Sequence, residues 1–332
     1  MPRSSATHRT ATWLAALTVL ALGVFLACLT VGSSGLSPRD ALGALLGQGD
    51  PTANSVVLAV RLPRTLAAFG VGALLALSGV LLQALFRNPL ADPYVMGVSG
   101  GAAVGAVLAM ILGTAAAVVQ ASAMAGALGA VALVWLLARA GGTPRLLLTG
   151  VVLASACGAM VSVLLSVADS SRVRGMLFWL AGDLAWALDP WLSGLVALAA
   201  VALAVLLARP LNVIAAGELR ARAVGLDFDA WRALLFIACA LLTSIAVLSA
   251  GTIGFVGLIT PHAMRLLLRT GNHRVVAPAA ALGGGTLLAA ADLAARTLVS
   301  PRQLPVGAVM ALLGTPLFIT LLRGHAPSGT AR

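Results

Sequence analysis

The sequence has few charged residues and no lysine. Of its 332 residues, only 9% are charged and 60% are hydrophobic. A soluble globular chain of this length carries far more charge and less apolar surface. Every basic side chain among the 21 is an arginine. Because a Walker A loop needs its lysine on the nucleotide phosphates, the chain contains no such ATP-binding loop.

Cysteine is also scarce, and its positions predict no special chemistry. Cys28, Cys157 and Cys239 each lie inside an apolar run. Free cysteine in such a setting behaves as a small buried hydrophobe. The spacing therefore predicts neither a disulfide framework nor a metal motif.

What the chain does have is a series of long apolar runs. About 20 apolar residues cross a bilayer as a helix, so we expect an all-α polytopic membrane protein with one transmembrane domain over residues 1–332. The ten predicted spans are residues 11–32, 56–86, 95–112, 115–138, 145–167, 191–207, 231–249, 252–268, 275–295 and 306–322. We expect the first span to be a helix that is not cleaved as a signal peptide. The second is too long for a straight crossing and should tilt or protrude.

The eighth span is the weakest of the ten. Gly251, Gly254, Gly257 and Pro261 interrupt it, so one broken helix and two short helices both remain open. The third span is rich in glycine, and small residues at this spacing let helices approach closely in lipid.

The arginines lie singly or in small groups at the ends of apolar runs. The net charge of +11 is therefore explained by the positive-inside rule and anionic lipid, and not by nucleic-acid binding. With both termini cytoplasmic, fourteen arginines fall inside: residues 3, 9, 87, 139, 145, 209, 220, 222, 232, 265, 269, 274, 323 and 332. Seven fall outside: residues 39, 61, 64, 172, 174, 296 and 302. An even number of spans fits this distribution.

Two inner loops and one outer loop have recognisable local chemistry. Residues 87–93, Arg-Asn-Pro-Leu-Ala-Asp-Pro, predict a chain reversal because the two prolines end one helix and delay the next. The loop at about 209–228 predicts a short exposed helix, with Gly217 as N-cap and Glu218 paired to Arg222. The outer loop at 169–190 predicts an interfacial helix whose Trp179 and Trp186 lie at the headgroup level.

Several of these segments, in this order, resemble the permeases of ABC importers for iron siderophores, haem and cobalamin, the FecCD type. The resemblance rests on residues 61–64, 73–106, 211–225, 254–265, 291–296 and 304–307, with Gly79 and Gln83 inside the second of these. It covers nearly the whole chain.

The resemblance implies a type II importer permease of ten helices that pairs with a second permease subunit, identical or different. Two cytoplasmic ATPase subunits would bind ATP and magnesium, and an extracytoplasmic binding protein would deliver the substrate. The chain itself would hold no cofactor or metal and would not be an enzyme. We expect it in the cytoplasmic membrane, surrounded by lipid and carrying a metal chelate. A ferric siderophore is expected before haem or cobalamin.

The resemblance also implies roles for particular residues. The ATPase-coupling set is Gly217, Glu218, Leu219, Arg220, Ala221, Arg222 and Gly225. The binding-protein docking set is Arg61, Arg64 and Arg296, and the inner-gate set is Gly141, Gly142, Thr143 and Pro144. The inner-face structural set is Arg87, Asn88, Pro89, Asp92, Pro93, Pro261, His262 and Arg265.

Simpler interpretations of these sets stay open. The coupling helix could be a plain connection, and the gate an ordinary turn. The outer arginines could reach lipid headgroups, with Arg296 paired to Asp292.

Two other function classes are disfavoured by what the spans lack. An ion-coupled secondary transporter, the main alternative, places acidic, histidine or lysine side chains within the bilayer. An intramembrane protease needs a Ser/His or paired-Asp site at depth. The four histidines lie at the ends of spans or in loops, so a bare metal ion would find few ligands to replace its water. A bulky ligand that is already coordinated fits better.

Overall fold

A computed structural model describes residues 3–33, 35–187 and 189–323, and within these ranges the protein is helical with no β-strand. The helices are α1 (Arg3–Thr30), α2 (Pro38–Leu45), α3 (Pro51–Asn54), α4 (Leu62–Phe86), α5 (Val98–Ile111), α6 (Ala116–Ala138), α7 (Gly142–Val167), α8 (Ser170–Leu180), α9 (Pro190–Leu206), α10 (Ala208–Ala215), α11 (Glu218–Ala223), α12 (Phe228–Ala250), α13 (Val256–Leu268), α14 (His273–Thr297) and α15 (Val306–Arg323). A π-helical turn, Ser55–Arg61, leads into α4.

The apolar helices come close to the predicted ten spans. Five stretches are long and apolar enough to cross a bilayer: 9–30, 51–86, 116–167, 228–250 and 273–297. The third contains both α6 and α7, separated by a 3-10 turn. Helices α9 and α10 form a pair bent by 72°, and α5, α13 and α15 are shorter apolar helices. The long second stretch runs 36 residues without a break.

Helix α4 lies at the centre of the bundle. It packs against α9, α12, α13 and α14, and its span is 89% buried. Close helix crossings depend on glycine, as the sequence predicts for the third span. A Cβ on Gly72 would press on the Gly284 carbonyl, one on Gly79 on the Gly257 carbonyl, and one on Gly101 on the Gly126 carbonyl. Small residues therefore let the backbones of α4, α5 and their neighbours touch.

Helix ends follow local chemistry. Asp227 caps α12 by accepting hydrogen bonds from the Asp229 and Ala230 amides, each at 3.1 Å. Asp189 caps α9 in the same way, with Pro190 in the first turn. These are the residue types that satisfy the free amides of a first helical turn.

Two expectations about irregular segments need correction. The eighth span is neither one broken helix nor two short ones: α13 begins only at Val256, after a non-helical stretch at 251–255. The outer loop does form a helix, α8, but Trp179 is fully buried in the core instead of lying at a headgroup level. The side chain of Trp186 falls outside the described residues.

Candidate functional site

We call the end of the bundle that carries α11 the coupling end, and the end that carries Arg64 and Asp292 the cluster end. At the coupling end, the predicted loop 209–228 is largely helical, since it contains α10 and α11. Gly217 precedes α11 with φ +112° and ψ 160°, and Gly225 follows it with φ +78°. Only glycine adopts the first conformation readily. The predicted short helix is therefore present.

Helix α11 offers an apolar tip beside charged side chains. Leu219 is 87% exposed, whereas Ala221 on the opposite face is fully buried. Arg222 pairs with Glu218 at 3.0 Å and with Asp229 at 2.9 Å, and these side chains are about half exposed. The hydrogen bond that Arg222 donates to the Glu218 carboxylate and the charge of Asp229 hold the pKa of Arg222 above its ordinary value. This surface suits a partner with an apolar pocket and polar rim.

The predicted gate segment lies at the same end. Residues 139–141 form a 3-10 turn, and α7 begins at Gly142, which has φ +74°. Arg232 donates to the Arg139 carbonyl at 3.1 Å and pairs with Asp229 at 2.9 Å. The turn is thus tied to the α11–α12 corner. The gate role of Gly141, Gly142, Thr143 and Pro144 remains a prediction.

The reversal after α4 has the predicted chemistry. Arg87 closes the helix with φ +49°, and the Asn88 Oδ1 accepts from the Leu90 amide at 2.9 Å. Asp92 caps the following 3-10 turn, Pro93–Met96, by accepting from the Tyr94 amide at 2.8 Å. A Cβ on Gly217 would lie 2.9 Å from Arg87 Nη1. The reversal and the start of α11 are therefore neighbours.

A proline inside α13 explains a buried polar group at the coupling end. Pro261 has no amide hydrogen, so the Gly257 carbonyl four residues earlier loses its helical donor. The Gln83 Nε2 of α4 lies 3.3 Å from that carbonyl and donates to the Leu258 carbonyl at 3.1 Å. Arg265 in turn donates to the Gln83 amide oxygen. His262 is half-buried on the same helix.

At the cluster end, buried charges pair within the chain. Asp292, whose side chain is 1% exposed, accepts from Arg64 Nη2 at 2.9 Å and from Arg296 Nε at 2.9 Å. Arg64 Nη2 also lies 3.3 Å from Asp183. Arg61 is 3% exposed and donates to the Leu29 and Thr30 carbonyls at 2.9 and 2.8 Å.

These contacts bear on the predicted docking set without testing it. Arg61, Arg64 and Arg296 do meet at one end of the bundle, as their predicted topology requires. Their guanidinium groups are, however, already engaged within the chain, so a carboxylate from a partner would compete with Asp292 for Arg64. The predicted pair between Arg296 and Asp292 is present.

Two adjoining grooves lie between α5, α7 and the irregular stretch before α13. One, of about 340 Å³, is lined by Tyr94, Ser99, Gly100, Ala103, Ala154, Gly158, Val161, Leu180, Thr252 and Gly254. The other, of about 530 Å³, is lined by Asp92, Tyr94, Val95, Val151, Ala154, Ser155, Gly254, Phe255 and Leu258. Most of these side chains are small or apolar, and the few polar ones are mainly hydroxyls. The lining suits a bulky, largely neutral ligand.

Two groove residues were missed by the sequence reasoning. Tyr94, the only tyrosine of the chain, accepts a hydrogen bond from the Ile253 amide at 2.8 Å and so holds the stretch before α13. Phe255 adopts φ +72°, a conformation that costs a bulky residue about 1–3 kcal/mol and concentrates at functional sites. The uniqueness of Tyr94 was a usable signal, whereas nothing in the sequence marks the backbone of Phe255.

Comparison with known proteins identifies the family to which this protein belongs. The profile of the FecCD transport family matches residues 19–324. The chain belongs to the FecCD transport family. This permease is 39% identical over 320 residues to the vitamin B12 import system permease protein BtuC of Klebsiella pneumoniae, covering 95% of this chain and 94% of the relative. The BtuC protein of Escherichia coli O17:K52:H18 is also 39% identical, over 318 residues.

A solved structure agrees with this membership. A chain from a transporter described as of the metal-chelate ABC type, in an inward-facing conformation, superposes with a TM-score of 0.83 at 34% identity. The match covers 95% of this chain and 99% of that one. A chain of PsaBC from Streptococcus pneumoniae, at 20% identity and a TM-score of 0.55, shares the fold alone. The permease is therefore a multi-pass membrane subunit of an ABC importer, and ATP hydrolysis is done by a separate ATPase.

Proposed function

We propose that this permease forms half of the pathway by which cobalamin, or a closely related corrinoid, crosses the cytoplasmic membrane. The observation that carries the proposal is the 39% identity to permeases named for vitamin B12 import, over almost the full length of both chains. The expectation of a ferric siderophore came from the family at large. The relatives at 39% identity are named for vitamin B12 import, and this favours a corrinoid over a ferric siderophore.

The adjoining grooves beside α7 support a substrate that is bulky and largely neutral, as a corrinoid is. The span from residue 116 to 167 is only 11% buried, so α7 presents most of its surface outside the subunit. Its serines at 155 and 162 are exposed on that surface. We infer that a second permease subunit, identical or different, packs against this side and that the two grooves face each other. A pathway on the axis between subunits would then be wide and mostly neutral.

The remaining partners follow from the chemistry of the two ends. We infer that Leu219 and the neighbouring Glu218 and Arg222 of α11 enter a groove on each of two ATPase subunits, so that α11 and both termini lie in the cytoplasm. The ATPases would supply the bound ATP and magnesium. The cluster end would then face a substrate-binding protein, with Arg64, the most exposed of the docking arginines at 12%, meeting its acidic side chains.

The test is uptake into proteoliposomes that contain the permease, its cognate ATPase and its binding protein. We expect ATP-dependent accumulation of labelled cyanocobalamin, with ferric siderophores and haem at background levels. Binding by the isolated binding protein should show the same preference. Uptake of a siderophore but not of cyanocobalamin would overturn the substrate assignment.

The same vesicles separate an ABC importer from an ion-coupled secondary transporter. Uptake should require ATP on the side of the vesicle membrane where the ATPase subunits lie. It should persist when an ionophore collapses the ion gradients. Uptake that follows an ion gradient without ATP would instead support the alternative.

A further inference from the structure

A side chain on α10 joins the coupling segment to the first turn of α14. The Asn212 Oδ1 accepts from the His273 amide at 2.9 Å and lies 2.7 Å from His273 Nδ1. Its Nδ2 donates to the Asn272 Oδ1 at 3.0 Å. These contacts cross 60 residues of sequence. One amide group therefore links α10, which leads directly into α11, to the first turn of α14.

Helix α14 reaches from this contact to the cluster end. Its 25 residues span about 37 Å at 1.5 Å per residue. Near its other end, Asp292 holds Arg64 of α4 and Arg296. Between the two, Gly284 touches the backbone of α4 at Gly72. The first turn of α14 and the buried charges therefore lie on one continuous helix, which contains Pro278 between them.

Each of the two helices also has interactions that do not depend on this contact. Asn272 caps α14 without help from α10, since its Oδ1 also accepts from the Arg274 amide at 3.1 Å. On α10, Leu211 and Ile214 are buried and hold the helix against the core. Removing the Asn212 amide should thus leave both helices formed and cut the polar connection between them.

We propose that Asn212 is a positioning residue that passes the movement of α11 to α14, and through α14 to the Arg64–Asp292 cluster. The proposal rests on the proposed function, because it takes α11 as the surface on which the ATPase acts. In this proposal α14 is the element whose position both ends bias, as coupling between distant sites requires.

The first experiment compares Asn212→Leu with the conservative variant Asn212→Asp in reconstituted transporter. The leucine removes every polar contact to α14, whereas the aspartate keeps the oxygen that accepts from the His273 amide. We expect Asn212→Leu to bind the ATPase and hydrolyse ATP as wild type does, while uptake per ATP falls at least about fivefold, the low end of measured couplings. Asn212→Asp should recover most of it.

A matched control removes a different hydrogen bond at the same corner. Thr270 accepts from the Asn272 amide at 3.2 Å and touches no residue of α10 through this bond. Thr270→Val should keep uptake and ATP hydrolysis near wild type. A loss in Thr270→Val equal to that in Asn212→Leu would mean that the corner is merely structural, and would overturn the proposal.

A second readout needs no substrate. Arg302 is exposed beside Gln303, whose side-chain oxygen accepts from Arg64 at 3.3 Å. A fluorophore on Arg302→Cys, with Cys157→Ser to leave only the two buried cysteines, reports on the cluster end. We expect magnesium ATP to change its emission in wild type and Asn212→Asp, with the amplitude reduced at least about fivefold in Asn212→Leu.

The outcomes separate this inference from the proposed function. If wild type responds to ATP and Asn212→Leu responds equally, the positioning role is wrong while the importer assignment stands. If wild type responds but takes up no cyanocobalamin, only the substrate is wrong. If wild type neither binds an ATPase nor responds to ATP, the coupling function and the role of Asn212 both fail.

Discussion

The two ends of the bundle place their charged side chains in opposite environments. At the cluster end, Asp292 and Arg296 are 1% and 7% exposed and pair inside the chain. At the coupling end, Glu218, Arg222 and Asp229 are about half exposed. Buried pairs lock neighbouring helices because an unpartnered charge there is very costly. Exposed pairs add little to stability, so their value lies in the surface that they offer.

The largest expected effect is at the buried carboxylate. Asp292→Asn removes the charge that both Arg64 and Arg296 face, so buried Arg296 loses its carboxylate partner and Arg64 keeps only Asp183. Breaking a buried pair in this way costs about 3–5 kcal/mol, which thermal unfolding in detergent would show. Asp189→Asn is the control, because Asp189 is an exposed helix cap and asparagine caps equally well. Equal melting temperatures for the two variants would contradict the comparison.

Arg61 should come next. Its guanidinium donates to two carbonyls at the end of α1. The glutamine amide of Arg61→Gln can still donate to one of them, so the expected loss is about one charge-assisted hydrogen bond, roughly 1.5–3 kcal/mol. The same unfolding assay measures the loss. Arg302→Gln, an exposed arginine at the same end, should melt as wild type does. A stable Arg61→Gln with weakened binding-protein affinity would instead assign Arg61 to docking.

Gly217 tests backbone conformation at the coupling end. With φ +112° and ψ 160°, alanine there costs about 1–3 kcal/mol, and its Cβ displaces the Arg87 side chain. We expect a modest drop in melting temperature together with uptake that is uncoupled from ATP hydrolysis. Ala216→Gly, the exposed neighbour, is the control. Full uptake by Gly217→Ala would remove this position from the coupling set.

The smallest effect on stability should come from Glu218. Glu218→Arg breaks an exposed pair, so the melting temperature should stay within error of wild type. Uptake should nevertheless fall, because the reversed charge faces the ATPase. The measurement is uptake alongside ATPase affinity in the same vesicles. Unchanged uptake in a well-inserted variant would leave α11 as a connecting helix.

Much of the fold was predictable because its determinants are local. Apolar runs located the spans, the prolines at 89 and 93 the reversal after α4, and Gly217 the start of α11. The failures are equally specific. Trp179 was assigned to an interface from its position in a polar loop, yet it is buried. A loop's composition does not reveal which side chain turns towards the core.

The candidate site was less predictable because it depends on contacts between distant segments. Gln83 matched the family pattern, but its contact with the Gly257 carbonyl, which Pro261 leaves without a helical donor, needs α4 and α13 to pack together. Asn212 lies in the predicted inner loop at about 209–228, and no sequence pattern indicates its partners Asn272 and His273. The strained backbone of Phe255 has no sequence signature at all.

The composition and the order of residues by themselves indicated that the protein lies in a bilayer, that it crosses the bilayer about ten times and that it resembles one family. A bilayer demands apolar runs of fixed length, and helices satisfy their own backbone groups within it. Only the tertiary structure decided which arginines are buried and which remain available to a partner. The sequence predicts three outward-facing cations at Arg61, Arg64 and Arg296. In the structure, Asp292 pairs with Arg64 and Arg296. Arg61 donates to a carbonyl at the end of α1. The charge of a side chain follows from the sequence, whereas its burial depends on the distant segments that pack against it.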